Sequence, residues 1–421
     1  MPRNKKKVPN YGKRYRYHPY HVKSKRYFCA RSNLFRFQQR ALQWLNTKRH
    51  HDISEEWHGA NNVSNGAILN VEYGLGKTMM SLYHAKHTKW KVLYLCPPNI
   101  VSHIQQEITK HFGSSVVCHE LKKWNCFGYD DYDIVILSFY TLSRLDADFV
   151  RANNYMFNTC IVDELEDAIQ KKGVRTAIQE MLQARYFLGL TGANKIHPLM
   201  LRLLRCVKDQ KDVFTFRQPA PFLLTTQFLS RESWDTTTID EYAFIEKTIK
   251  TKTGLQAEKM LDRAREIVSH AKVDHVILML SKICNYKVLV VSEFASTLRL
   301  ISQKLKEYKQ QHLCLLSAEA ATQTKRTQIL QTFEQKESKM NILLAQLHII
   351  VFGIDLGFID FLIVVDLPMK LLEYRQLQGR CRRVGQRPFH RQVPEVIEIV
   401  TKKTCDWTLY SDIHNTKQYH I

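Results

Sequence analysis

No aspartate or glutamate occurs before Asp52 in this 421-residue chain. In the same stretch stand Arg3, Lys5, Lys6, Lys7, Lys13, Arg14, Arg16, Lys23, Lys25 and Arg26, interleaved with Tyr11, Tyr15, Tyr17, Tyr20 and Tyr27. An arm of one charge sign with rings between the cations suits a phosphate backbone and stacked bases. It suits equally a solvating or nuclear-import tail. The ten cysteines include no Cys-x-x-Cys pair, and the eighteen histidines show no ligand spacing. That excludes a zinc or disulfide framework and points to reduced thiols inside a cell. No apolar run approaches the roughly 20 residues a membrane helix needs, and no signal-peptide pattern is present, so a soluble, unsecreted protein without a membrane partner is expected. No short-period repeat is present either. What remains is 44% apolar residues, enough for two or three cores, and a formal charge of +22.

One glycine is also missing where it would be informative. The stretch Val71-Glu72-Tyr73-Gly74-Leu75-Gly76-Lys77-Thr78 follows the apolar run Ala67-Ile68-Leu69 and precedes the helical pattern Met79 to Ala85. Strand, glycine loop, Gly-Lys-Thr and helix are the parts of a phosphate-binding loop, although Val71 stands where the opening glycine usually lies. In such a loop Gly74, Leu75 and Gly76 bring backbone N–H groups to phosphate oxygens. Lys77 reaches the β- and γ-phosphates, and the Thr78 hydroxyl ligates Mg²⁺. The bland alternative is an ordinary glycine turn.

Asp163-Glu164 ends another apolar run, Thr159 to Val162. Downstream of a phosphate loop, Asp163 can hold Mg²⁺ and Glu164 can orient and deprotonate the attacking water. A lone Asp-Glu is otherwise a solvated turn. Near the far end lies Gln376-Leu377-Gln378-Gly379-Arg380-Cys381-Arg382-Arg383-Val384-Gly385-Gln386. Arg380 and Arg383 share a helical face, which suits the charge on a transferring γ-phosphoryl group. A basic helix for nucleic acid explains Arg382 but not the flanking Gln and Gly residues. In the helical segment from Leu34 to Leu45 the apolar positions form one face. Gln38 is left over, and its amide offers the donor and acceptor that an adenine edge requires.

Short apolar runs alternate with helical stretches from residue 67 to 190 and again from 287 to 400. Alternation of this kind implies parallel sheets flanked by helices, with ligands beyond the carboxyl ends of the strands. Residues 227–272 lose the alternation and are expected to connect the domains. The expected organisation is a basic aromatic arm (1–33), a first lobe (34–226), a linker (227–272), a second lobe (273–413) and a tail (414–421).

Taken in order, the phosphate loop, Asp-Glu, Thr191-Gly192-Ala193 and Gln-x-x-Gly-Arg-x-x-Arg-x-Gly-Gln resemble superfamily 2 helicase-like ATPases. The terminal Gly-Gln and the form Ile68-Leu69-Asn70-Val71-Glu72-Tyr73-Gly74-Leu75-Gly76-Lys77-Thr78 resemble the Swi/Snf group, in which an acidic residue normally occupies the position of Val71. The likeness runs from about Leu34 to Ile413. It implies two tandem RecA-like α/β domains with the ATP site in the cleft between them. Lys77, Thr78, Asp163 and Glu164 would serve from the first lobe, and Arg380 and Arg383 from the second. Gln38 would read adenine, while Thr191 with Gly192, and Gly353 with Asp355, would couple the nucleotide to nucleic acid. It implies ATP and Mg²⁺ as cofactors, DNA as partner with double-stranded DNA favoured, and translocation in transcription or chromatin remodelling beside the transcription machinery. Strand separation on DNA or RNA and a degenerate DNA-binding scaffold are the alternatives. Glu166 stands where the family usually has His, so weakened coupling to the second lobe is expected. Asp355 stands where Asn is usual, and Leu347 to Phe352 replace a glycine-rich stretch. A compact divergent member of this kind looks most like those of large DNA viruses, such as baculovirus global transactivators, and implies the nucleus, that of the host if viral.

Overall fold

The computed structural model describes residues 34–50, 65–86, 91–113, 116–120, 132–144, 156–193, 195–204, 212–217, 222–316, 323–336, 338–350, 356–381 and 388–414. The basic arm, Arg383, Gly353 and Asp355 lie outside them.

Two parallel sheets organise the chain. The first holds β1 (Asn65–Val71), β2 (Val92–Cys96), β3 (Cys118–Glu120), β4 (Ile134–Ser138), β5 (Met156–Val162), β6 (Gln183–Thr191) and β7 (Val213–Phe216), in the order β3-β4-β2-β5-β6-β1-β7. The second holds β8 (Leu223–Ser230), β9 (Val288–Ser292), β10 (His312–Leu315), β11 (Ile342–Gln346), β12 (Phe361–Val364) and β13 (Glu395–Lys402), in the order β10-β11-β9-β12-β13-β8. Helices cover both faces of each sheet, which is why the central strands read as unbroken apolar runs. In β2 the side chains alternate between two cores. Val92, Tyr94 and Cys96 enter one, Leu93 and Leu95 the other. The second sheet does the same with Leu289 and Val291 against Val288 and Val290. This is the expected pair of tandem RecA-like α/β domains. Among the described residues no helix is long and apolar enough to cross a membrane.

The first helix, Arg36–His50, lies over the β7 edge. Phe37 stacks on Phe216 at 4.5 Å, and Trp44 tilts against Phe214 at 5.5 Å. Its buried Ala41, Leu42 and Leu45 are the apolar face read from the sequence.

The structure differs from the expected linker over 227–272. That segment begins inside β8, which pairs with β13 along its whole length, from Leu223–Glu395 to Ser230–Lys402. The helices Thr236–Ile249 and Gly254–Ala271 bury Tyr242, Ile245, Ala264, Ile267 and Val268 against each other. Arg265 then ties the second of them to the Leu367 carbonyl at 3.0 Å. These elements belong to the second lobe. Their alternation is hidden because β8 is an edge strand. Thr225 and Thr226 donate to Glu395 and Glu398, while Leu223, Leu224 and Phe228 stay exposed, so no continuous apolar run marks it.

Candidate active site at the lobe boundary

Parallel pairing puts the carboxyl ends of β1, β2, β5 and β6 on one edge. β6 lies between β1 and β5, so Thr191 falls between the glycine loop and the acidic pair. The loop turns through Gly74 (φ 79°) and Gly76 (φ 81°), both in the left-handed region that side chains disfavour. A Cβ on Gly76 would come within 2.7 Å of Gln38 Nε2.

Gln38 is buried and braces this loop. Its Nε2 donates to the Leu75 carbonyl at 3.1 Å, and its Oε1 accepts the Phe35 N–H at 3.0 Å. One N–H and one lone pair of the amide remain, which is the complement an adenine edge needs.

Lys77 opens the helix Lys77–Lys86 and is buried. Its ammonium lies 4.2 Å from the centroid of the Tyr73 ring. Burial pulls its pKa down, and Glu164, Asp163 and Glu166 pull the other way. Across the loop, Asp163 Oδ1 accepts the Glu164 N–H at 3.0 Å and Oδ2 accepts the Tyr94 hydroxyl at 2.8 Å. That hydroxyl also lies beside Thr78. Thr78 and Asp163 are therefore brought together around Tyr94. One hydroxyl and one carboxylate are a donor set that fits Mg²⁺, which takes its other ligands from phosphates and water.

Glu164 has φ 51° and ψ 62°, a left-handed conformation for a non-glycine residue. Such strain costs roughly 1–3 kcal/mol and persists where the surroundings enforce it. Burial raises its pKa to about 8; Glu166 and Asp163 push the same way, while Lys77 and Arg380 oppose them. The folded chain thus holds this proton between pH 4.5 and about 8 while the unfolded chain has released it. Stability must fall as pH rises through that window. Glu164→Gln removes the penalty. Without nucleotide, the variant is expected to melt about 5 °C above the parent at pH 8.5, a gain on the order of 2 kcal/mol, and level with it near pH 4.5. Thermal unfolding at the two pH values checks this, and a variant melting lower at pH 8.5 would contradict it.

The second lobe contributes the helix Leu371–Cys381. Gln376 Nε2 reaches Glu164 Oε2 at 3.4 Å, and Arg380 acts electrostatically on both Lys77 and Glu164. The structure thus brings Gln38, Gly74, Leu75, Gly76, Lys77, Thr78, Asp163, Glu164 and Arg380 to one place.

Glu166, which stands where the family usually has His, is fully engaged on one side. Its Oε1 accepts from the Tyr73 hydroxyl (2.9 Å), the Thr191 hydroxyl (2.6 Å) and the Gly192 N–H (3.0 Å). Three donors on one oxygen compensate much of the cost of burying a carboxylate.

Three participants were not singled out in the sequence. Tyr94 sits in an apolar strand, and its signal was the hydroxyl, which must find a partner when buried. Tyr73 lies inside the glycine loop but carries no phosphate-binding pattern. Arg217 follows β7 and donates to Asn70 O (3.1 Å), Asn70 Oδ1 (2.8 Å) and the Ala193 carbonyl. It links the start of the glycine loop to the Thr191-Gly192-Ala193 segment, and nothing in its local pattern marks it.

Comparison with known proteins agrees with this layout. Residues 31–195 match the family model described as type III restriction enzyme, res subunit, and residues 271–385 match the helicase conserved C-terminal domain. No curated protein matches the chain in sequence. Among solved structures, the Hef helicase domain of Pyrococcus furiosus is similar in fold at 14% identity. The match covers 89% of this chain and 97% of that one, with a TM-score of 0.54. The SWI2/SNF2 ATPase core of Sulfolobus solfataricus in complex with dsDNA matches at 16% identity over 91% of each chain, with a TM-score of 0.40. The same core domain in a second structure matches at 15% identity over 92% of this chain and 89% of that one, with a TM-score of 0.37.

Proposed function

We propose that this superfamily 2 helicase-like ATPase, a nucleic-acid-dependent ATP hydrolase, uses hydrolysis to move along double-stranded DNA. The observation that carries the reading is the contact of Gln376 on Glu164 across the lobe boundary. A hydrolytic carboxylate held from both lobes makes turnover depend on how the lobes sit, and closure then shifts one lobe along the bound duplex.

In this reading Gly74, Leu75 and Gly76 present backbone N–H groups to the phosphates, and Lys77 neutralises their charge. Gln38 accepts and donates at the adenine edge with its remaining lone pair and N–H. Thr78 and Asp163 hold Mg²⁺, which when bound neutralises charge developing on the phosphates. In its ionised form Glu164 takes the proton of the attacking water, and Gln376 helps orient its carboxylate. Arg380 and Arg383 meet the transferring phosphoryl group from the second lobe. Thr191 and Gly192, with Gly353 and Asp355, relay nucleotide state to the nucleic-acid grip. The preference for duplex rests on the Swi/Snf-like form of residues 68–78 and of Gly385-Gln386. Its setting, transcription or remodelling in a nucleus as in large DNA viruses, rests on the short stretch between Gly192 and Lys287.

ATP turnover measured against duplex DNA, single-stranded DNA and RNA tests the reading, with triplex displacement run beside strand displacement. Duplex should stimulate about 10-fold or more, and the third strand of a triplex should be removed while a plain duplex stays paired. Unwinding of the duplex would assign strand separation instead. Absence of turnover with every nucleic acid would overturn the reading.

A further inference from the structure

Tyr73 makes a set of contacts that no other described side chain of the site combines. Its ring carries the Lys77 ammonium at 4.2 Å. Its hydroxyl donates to Glu166 Oε1, the oxygen that also holds Thr191 and Gly192. Its ring lies so close to Gly192 that a Cβ there would sit 2.5 Å from it. From the second lobe, a Cβ on Gly379 would sit 2.4 Å from Tyr73 Cβ. One residue therefore touches the phosphate-binding cation, the Thr191-Gly192 segment and the opposite lobe.

Glu166 completes the arrangement. It is 94% buried by its 6% exposure, and its second oxygen, Oε2, has no hydrogen-bond partner among the described residues. A buried carboxylate with one idle oxygen carries a cost that the three donors on its other oxygen offset only in part.

We propose that Tyr73 and Glu166 are a positioning pair that transmits the placement of the second lobe to Lys77. With the lobes as seen here, the ring holds the ammonium. When the second lobe moves, Gly379 displaces Tyr73, and the hydroxyl–carboxylate bond fixes how far the ring travels and where Lys77 is delivered. The same bond carries the displacement to Thr191 and Gly192. In this chain Glu166 does not weaken the link to the second lobe; it provides one through Tyr73.

This inference rests on the proposed reading of the cleft as an ATP site, and its test is chosen to need no hydrolysis. Affinity for a fluorescent non-hydrolysable ATP analogue is measured with and without duplex DNA in the parent chain, Tyr73→Phe, Glu166→Gln and the double variant. Phenylalanine keeps the ring over Lys77 and glutamine keeps the shape of the carboxylate, so both should fold. The readout is the ratio of the two dissociation constants, in which any loss of intrinsic affinity cancels. Tyr73→Phe removes the bond and should reduce that ratio at least fivefold towards one, Glu166→Gln keeps an amide oxygen that accepts the Tyr73 hydroxyl and should stay within twofold of the parent, and the double variant should lose no more than Tyr73→Phe alone. A Tyr73→Phe ratio within twofold of the parent overturns the proposal, as does a further loss in the double variant or a parent ratio of one. A parent that shows coupling but never turns over ATP would sink the hydrolytic reading and leave this one measured.

Discussion

Lys77→Ala is expected to bring nucleic-acid-stimulated ATP turnover below about 1% of the parent, because one preorganised cation on a transferring phosphoryl group is worth roughly 10²–10³ in rate. Glu164→Gln should fall as far, since a positioned general base contributes about 10²–10⁴. The two variants should differ in binding. Lys77→Ala loses the cation that faces the phosphates, so ATP affinity drops with the rate. Glu164→Gln keeps an acceptor for Gln376 Nε2 and should bind ATP at least as well as the parent. Lys77→Ala also leaves Asp163, Glu164 and Glu166 without their nearest cation, so its folding is best confirmed by melting near pH 6, where Glu164 holds its proton. Turnover above a tenth of the parent in either variant would remove that residue from the chemistry.

Gly379→Ala should abolish stimulation by a different route. The added Cβ would lie 2.4 Å from Tyr73 Cβ, and 3.2 and 3.3 Å from its backbone carbonyl carbon and Cα. Rotation of the Tyr73 side chain cannot relieve contacts to backbone and Cβ, so the lobes themselves must part. Because the clash crosses the lobe boundary, each lobe should keep its own fold. A separation of even an ångström moves Gln376 out of reach of Glu164, and misplacement on that scale costs about 100-fold in rate. Turnover with duplex DNA should therefore fall by about that factor while melting temperature stays within a few degrees of the parent. Unchanged stimulated turnover would show that the lobe contact seen here is not part of the working cycle.

The strands most legible in the sequence share one property: burial on both sides. The runs 92–96, 134–138, 288–292 and 342–346 are strands buried at every position, and double burial leaves an unbroken apolar signature. The elements that were missed are edges. β3 and β7 are short and only partly buried, and β8 mixes Thr225, Thr226 and Gln227 with exposed leucines. Pattern cannot separate such strands from loop. In the site, residues fixed by local chain geometry were readable, as with Gly74 to Thr78 and Asp163-Glu164. Tyr94 and Arg217 act through contacts set by strand order, β2 beside β5 and β7 beside β1, and strand order is not written locally. Glu166 was readable as a departure, but its bond to Tyr73 was not, because that partner lies across the sheet edge in a different motif.

The pairing of β8 with β13 also sets a timetable. β8 is made right after the first lobe, yet its only neighbour in the sheet among the described residues, 395–402, is near the end of the chain. At roughly 5–20 residues per second on the ribosome, Leu223, Leu224 and Phe228 wait on the order of ten seconds or more beside an unfilled strand edge. The first lobe has all its described strands by residue 216 and can fold during that interval. Synthesis itself therefore imposes an order in which the nucleotide-loop half matures first and the arginine-bearing half closes last.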